Sequence, residues 1–213
     1  MTELEAIRAR HSVRRYRFHP VPDDVRALLQ ANIERINAAS GLDFQLIYDR
    51  PEVFDGKIRG AANCVAFIGK KSPDLLEKIG YWGADIMLRI QELGLNSVWC
   101  AMSFNKKPAA ANVNLADGEQ IINVLAFGYG EDEGKPHKSK PIDSLCEVKG
   151  EMPDWFAKGM EAAALAPTAI NQQRFLITLN GDRLEAKAKI GPYAKVDLGI
   201  VKYFFEAASG RRF

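Results

Sequence analysis

Apolar residues recur along this chain with two different periods, and the switches between them predict its elements. Thr2 followed three residues later by Glu5 has the spacing of a capping box and opens a short helix ending near Arg10. Pro22, at a first helical position before Asp23 and Asp24, starts a second helix with apolar Val25, Leu28, Leu29, Ile33 and Ile36. Strands are expected at 43–48 and 63–69, the latter holding the run Cys64-Val65-Ala66-Phe67-Ile68 between Gly60 and Gly69. A longer helix over about 74–93 ends at Gly94, and Ser97 to Met102 reads as a buried strand running into a loop. A short helix near 106–112, a strand at 121–127 and a glycine- and charge-rich loop at 128–141 come next. The last third holds a helix at about 153–165, a loop at 166–172, strands at 173–179 and 183–189, and a helix at about 196–208. Helices and strands alternate irregularly and several connections look like hairpins, so the expected class is α+β rather than a doubly wound sheet.

The pattern also repeats. Residues 28–47 and 158–177 both read helix, small-residue loop, strand. Lys57-Ile58-Arg59-Gly60 resembles Lys189-Ile190-Gly191, and the stretch from Gly83 to Gly94 equals in length that from Gly199 to Gly210. A duplication would make residues 1–213 one domain of two half-repeats, approximately 1–150 and 151–213. Convergent helix–strand composition would leave the same trace.

Composition narrows the class. The chain has 213 residues, enough for one sizeable core, with 47% hydrophobic and 26% charged residues. A formal net charge of +2 sets up no long-range field that argues for nucleic acid or a membrane surface. Cys64, Cys100 and Cys146 are widely spaced and odd in number, and His11, His19 and His137 add no ligand pattern, so no metal site is expected. The Thr2-Glu3-Leu4-Glu5 start is unlike a signal peptide, and no apolar run is long enough to span a membrane. The expectation is a soluble cytoplasmic protein with buried thiols.

Three clusters could carry chemistry. Arg10, Ser12 and Arg14, with His11 between them, offer two guanidiniums and a hydroxyl that suit a phosphate. Cations following a helix also complement its dipole while staying solvated. In His137-Lys138-Ser139-Lys140-Pro141 the alternating cations point the same way if the segment is extended, so Lys138 and Lys140 could converge on one anion; a solvated charged loop reads identically. Together the two clusters balance the roughly −2 charge of a phosphomonoester. In the third cluster, Ala166 to Gln173, Pro167 stops a helix and the small Thr168 and Ala169 let backbone approach a planar ligand. Asn171 or Gln173 can both donate to and accept from a ring's polar edge, though an ordinary helix-to-strand turn has the same composition.

At these residues the chain resembles the FMN-dependent nitroreductase family. Arg10-His11-Ser12-x-Arg14 is similar to its flavin-phosphate motif, Ala166-Pro167-Thr168-Ala169-x-Asn171-x-Gln173 to its "APSxxNxQPW" flavin-contact motif, and Lys138-Ser139-Lys140 to its basic "KSR". Gly83 to Met102, ending Gly94-Leu95-Asn96-Ser97-Val98-Trp99, resembles its "LGLGSCWIGGF" helix–strand. The motif order differs. In the usual family the Asn-containing motif comes soon after the Arg-x-Ser motif, where this chain has Asn37-Ala38-Ala39-Ser40-Gly41. This order resembles the "TM nitroreductase" subgroup, in which one chain supplies both half-sites that a homodimer otherwise provides.

The resemblance implies a nitroreductase-like fold, with a central mixed or antiparallel sheet flanked by helices. It implies a flavin that takes hydride from NAD(P)H and reduces a small-molecule acceptor such as a nitroaromatic or quinone. It carries over Lys57 beside the flavin pyrimidine, where a cation would stabilise charge on the reduced ring. It also carries over backbone around Ala101 and Met102 near flavin N5, Met102 standing where the family has glycine. No catalytic side chain is implied, since the cofactor carries the chemistry. Gly128-Tyr129-Gly130-Glu131 is a poor match to a dinucleotide fingerprint and reads as a turn. Rival readings are a flavin-binding module without turnover, a flavin-fragmenting or dehalogenating relative, and a flavin-free anion-binding protein. A self-complete site permits a monomer as well as a homodimer.

Overall fold

Thr2 and Glu5 close the predicted box: the Thr2 N–H donates to Glu5 Oε2 at 2.7 Å and the Glu5 N–H to Thr2 Oγ1 at 3.3 Å. The helix they start, α1, spans Glu3–Ala9 in a computed structural model that describes residues 1–136 and 138–213. His137, part of one predicted basic cluster, lies outside the described residues. Further helices are α2 (Asp23–Ser40), α3 (Leu75–Glu92), α4 (Lys106–Ala110), α5 (Asp154–Ala163) and α6 (Ala194–Ser209). The strands are β1 (Gln45–Ile47), β2 (Asn63–Lys70), β3 (Asn96–Cys100), β4 (Glu119–Gly128), β5 (Cys146–Lys149), β6 (Phe175–Asn180) and β7 (Arg183–Ala188).

The class is α+β, as expected. Pro22 sits one position outside α2 rather than at its first residue: at φ −59 and ψ 151 it is extended, and its carbonyl already accepts from the Arg26 N–H. Strand β5 was not foreseen. Its four residues include charged Glu147 and Lys149, and its identity comes from parallel pairing with β6.

The chain forms two compact units, neither continuous in sequence. The first comprises Ala9–Leu75 and Ile86–Pro136. Its sheet has the order β1-β2-β4-β3, antiparallel throughout. Strand β2 is buried over seven of its eight residues, which is why it reads as a continuous apolar run instead of an alternating one. Alternation nevertheless sorts its side chains. Cys64, Ala66 and Ile68 join Val98, Cys100, Val124 and Ala126 in a core closed by Val13, Tyr16, Phe54 and Phe104. Phe67 points the other way, with ring centroids 4.6 Å from both Phe44 and Trp99. Helix α2 is tied to the approach to β1 through Asn37, whose Nδ2 donates to Phe44 O at 2.9 Å and whose Oδ1 accepts the Phe44 N–H at 2.8 Å. All three cysteines are buried and none is disulfide-bonded.

The second unit comprises Met1–Arg8, Leu76–Asp85 and His137–Phe213. Its sheet has the order β5-β6-β7, with β6 and β7 antiparallel. Phe156 and Phe205 meet edge to face at 5.4 Å where α5 packs on α6. Helix α6 crosses the 76–85 segment of α3 at glycines. A Cβ on Gly80 would lie 1.9 Å from the Val196 carbonyl oxygen, and one on Gly199 would lie 2.0 Å from that of Glu77. Only hydrogen in place of a side chain allows backbones this close. Around the crossing, Lys202 Nζ bonds Glu77 Oε1 at 2.5 Å and Tyr81 Oη donates to Glu206 Oε2 at 2.7 Å. Among the described residues no helix is long and apolar enough to cross a membrane.

Alanine at Gly199 gains about 1 kcal/mol in helix propensity but forces a methyl into a backbone carbonyl, an overpacking cost of typically 1–3 kcal/mol that relaxation here cannot easily reduce. Gly199→Ala is therefore expected to lower stability by about 2 kcal/mol. Urea denaturation checks this as a fall in midpoint at unchanged m-value.

Candidate functional site

In the first unit, the N-terminal basic stretch leaves α1 and runs as an extended ribbon beside β3. The Val13 N–H donates to Ser97 O at 3.1 Å, the Arg59 N–H to Arg14 O at 2.9 Å and the Tyr16 N–H to Arg59 O at 2.8 Å. Ser12 and Ser97 form a parallel bridge. Gly60 makes this path possible, because a Cβ there would lie 2.1 Å from the Tyr16 carbonyl oxygen, and its φ of 70° is itself a glycine conformation.

Extended geometry sends successive side chains to opposite sides, and the stretch sorts accordingly. Arg15 turns to the acidic loop, where it pairs with Asp132 and lies 3.8 Å from Glu131. The bond from Arg15 holds the Asp132 carboxyl below its ordinary value. Arg14 is exposed, with its guanidinium turned back to Ser12 O at 3.4 Å. His11 Nδ1 lies 3.1 Å from Glu133 O. Arg10 is buried, and desolvation draws its guanidinium down to about 10, where it is still charged at neutral pH.

The carried-over positions of this unit are more open. Lys57 is exposed and its ammonium lies 3.4 Å from Asp55 Oδ2, a solvent-screened pair. Ala101 is half-buried and Met102 exposed just past the end of β3. A small surface pocket opens between Tyr16, His19, Asp49, Asn63 and Phe127, and none of the expected site residues lines it.

The second unit brings two of the predicted clusters together. Gln173, almost fully buried, links them: its Nε2 donates to Lys138 O at 3.0 Å and to Asn171 Oδ1 at 2.9 Å, and its Oε1 accepts the Lys140 N–H at 2.8 Å. Asn171 Nδ2 also donates to Lys138 O, at 3.0 Å. The Lys140 ammonium bonds the carbonyl of Gln172 at 2.7 Å, so it clasps the turn, while Lys138 is exposed. Ser139 Oγ donates to Ala164 O at 2.8 Å.

The turn itself is strained. Ile170, Asn171 and Gln173 have φ of 48°, 54° and 45°. Asparagine tolerates this region, whereas for a β-branched residue it is a true outlier, at a cost on the order of 1–3 kcal/mol. Half-buried Pro167 precedes it, and the Thr168 hydroxyl accepts the Gln173 N–H at 3.0 Å.

Sequence reasoning missed the group that holds the start of this turn. Asp197, in the first turns of α6, is 4% exposed and accepts the Ala169 N–H with both oxygens, at 3.0 and 3.1 Å, and Gln172 Nε2 at 2.8 Å. Its signal was an aspartate set among Val196, Leu198, Ile200 and Val201, all buried. Burial raises its carboxyl from 3.8 to about 6 even though the bonds from Gln172 and Ala169 pull the other way, so desolvation outweighs them. Among the described residues no cluster of His, Cys, Asp and Glu could hold a metal.

Comparison with known proteins agrees on one family. A family model described as "Putative TM nitroreductase" matches residues 3–209. The crystal structure of a "putative nitroreductase" from Thermotoga maritima is similar over 98% of this chain and 83% of that one, with a TM-score of 0.72 and 22% identity. A "putative nitroreductase in complex with FMN" from Desulfovibrio desulfuricans matches 72% of this chain and 99% of its own, with a TM-score of 0.55 and 20% identity. An FMN-dependent nitroreductase from Clostridium difficile matches 62% and 90%, with a TM-score of 0.52 and 15% identity. No curated protein matches the chain.

Because folding raises the affinity of Asp197 for its proton, the associated stabilisation is complete below its unfolded value and disappears as pH rises through about 6. Wild-type stability relative to Asp197→Asn is expected to fall by up to about 3 kcal/mol over that window, roughly two units at 1.4 kcal/mol each. Urea titrations of both proteins at a series of pH values measure it.

Proposed function

The chain belongs to the TM nitroreductase family, and on that premise we propose that it is an FMN-dependent oxidoreductase which takes hydride from NAD(P)H and passes electrons to a small acceptor such as a nitroaromatic or quinone. The observation that carries the reading is the joining of Lys138–Lys140 to the Ala166–Gln173 turn through Gln173 and Asn171. Both segments resemble flavin-contact segments of the family, and more than two dozen residues separate them in sequence.

The donor set suits the group. Within the first unit, Ser12, Arg14 and Arg10 carry a hydroxyl and cations of the kind a phosphomonoester requires, and Lys138 is an exposed cation of the second unit. His11 lies between the two arginines in sequence, its ring nitrogen against the Glu133 carbonyl. Pro167, Thr168 and Ala169 carry no bulky side chain, so a flat ring can come against their backbone, and the amide of exposed Asn171 can meet a ring edge that both donates and accepts. Lys57 would offset negative charge gathered by the reduced ring, and backbone at Ala101 and Met102 would meet its centre. Lys140 contributes by clasping the turn.

FMN, when bound, supplies the redox chemistry; the chain's own groups bind, orient and tune it. No side-chain acid or base is assigned. We further infer that the chain is a fused pair of half-repeats, approximately 1–150 and 151–213. The shared order α2–β1–β2–α3 and α5–β6–β7–α6 supports this, as do antiparallel pairing of β1 with β2 and of β6 with β7.

The test is a visible spectrum of the purified protein with FMN, followed by anaerobic NADH or NADPH. A bound flavin that bleaches is the expected outcome. One that stays oxidised reduces the protein to a binding module, and failure to bind FMN overturns the reading. Replacing exposed Arg14 and Lys138 together with alanine is expected to weaken FMN binding at least ~100-fold, because charged hydrogen bonds contribute about 1.5–3 kcal/mol each. Fluorescence titration of FMN reads the change, and unaltered affinity would remove both from the phosphate site.

A further inference from the structure

A turn that meets a cofactor must keep its shape with the cofactor absent, and a left-handed residue such as Ile170 resists that shape. Two side chains oppose the strain. Gln173 ties the end of the turn to the 138–140 segment. Asp197 ties its beginning, through the Ala169 N–H, and its middle, through the Gln172 side chain.

These two ties differ in rigidity. Gln173 belongs to the turn and moves with it. Asp197 belongs to α6, and its neighbours Val196 and Gly199 are the residues whose backbone lies against Gly80 and Glu77 at the glycine crossing. A close backbone crossing leaves little room for sliding, so Asp197 stands on a part of its helix held by backbone packing on both sides of it in sequence. Its Oδ1 and Oδ2 share one backbone N–H, and Oδ2 takes the Gln172 amide as well. All of these partners are donors, an arrangement that a carboxylate satisfies fully.

We propose that Asp197 is the positioning residue for the Thr168–Gln173 turn, fixing from α6 the backbone that presents Asn171 to the flavin. The proposal rests on the flavin reading for its consequence and on the structure alone for the tie.

The variants Asp197→Asn and Asp197→Ala separate these two layers. Asparagine keeps the shape but sets an NH₂ against one of the donors; alanine removes the acceptors altogether. Amide hydrogen exchange, followed by NMR with and without FMN, reads the tie directly. Exchange at Ala169 is expected to accelerate at least tenfold in Asp197→Ala and by an intermediate factor in Asp197→Asn, the loss of one to two charge-assisted bonds. Amides of the β6–β7 hairpin should not change. FMN dissociation constants should rise at least tenfold in Asp197→Ala, with a shift in the flavin midpoint potential that general destabilisation would not produce.

Unchanged exchange at Ala169 in both variants would overturn the proposal. So would faster exchange accompanied by unaltered FMN affinity and potential. If alanine prevents folding, the asparagine variant alone decides by the same two readouts. A wild-type protein that binds no FMN would refute the flavin reading instead, while exchange at Ala169 still decides whether Asp197 holds the turn.

Discussion

Irregular backbone can be buried only where its N–H and C=O groups find partners, because each one left unmatched costs as much as the bond it forgoes. The two segments proposed to meet the cofactor are both irregular, and each solves this by borrowing. The ribbon after α1 takes its partners from Ser97, Arg59 and Tyr129, so β3 and the turn before β2 hold it. Besides two short backbone bonds of its own, the turn after α5 takes its partners from side chains, those of Asp197, Thr168, Gln173 and Lys140. One is an extra strand in all but name, while the other is a knot of amides.

That difference explains what could be read in advance. Period and capping gave the helices: Thr2 and Glu5 make the box that their spacing promises, and the interval from β2 to β4 falls close to where apolar runs place it. Positions set by distant pairing were out of reach. β5 is too short and too charged to announce itself without β6 beside it. Alternation pointed Lys138 and Lys140 the same way, yet the Lys140 ammonium turns to the Gln172 carbonyl, a partner more than thirty residues on that no local rule supplies. Asp197 was hidden for a related reason, since one acid in an apolar helix start gives no hint of which donors fold over it.

Charge follows burial in both segments. Arg10 and Asp197 are the cases where desolvation acts on an ion, drawing the guanidinium down to about 10 and the carboxyl up to about 6. The first has too far to fall to lose its proton near neutrality, while the second lies within reach of it. Asn37 shows how differently a similar residue is used: at the place where the usual family order puts its flavin-contact motif, this amide does nothing more exotic than fasten α2 to Phe44.

The thiols carry a consequence of their own. Burial pushes Cys64 well up and Cys100 to about 12, and Cys146 is raised as well. The chain thus keeps its sulfur protonated and out of reach, with no thiolate available as a nucleophile near neutral pH. The same shielding makes these residues silent to alkylating reagents for as long as the core stays closed.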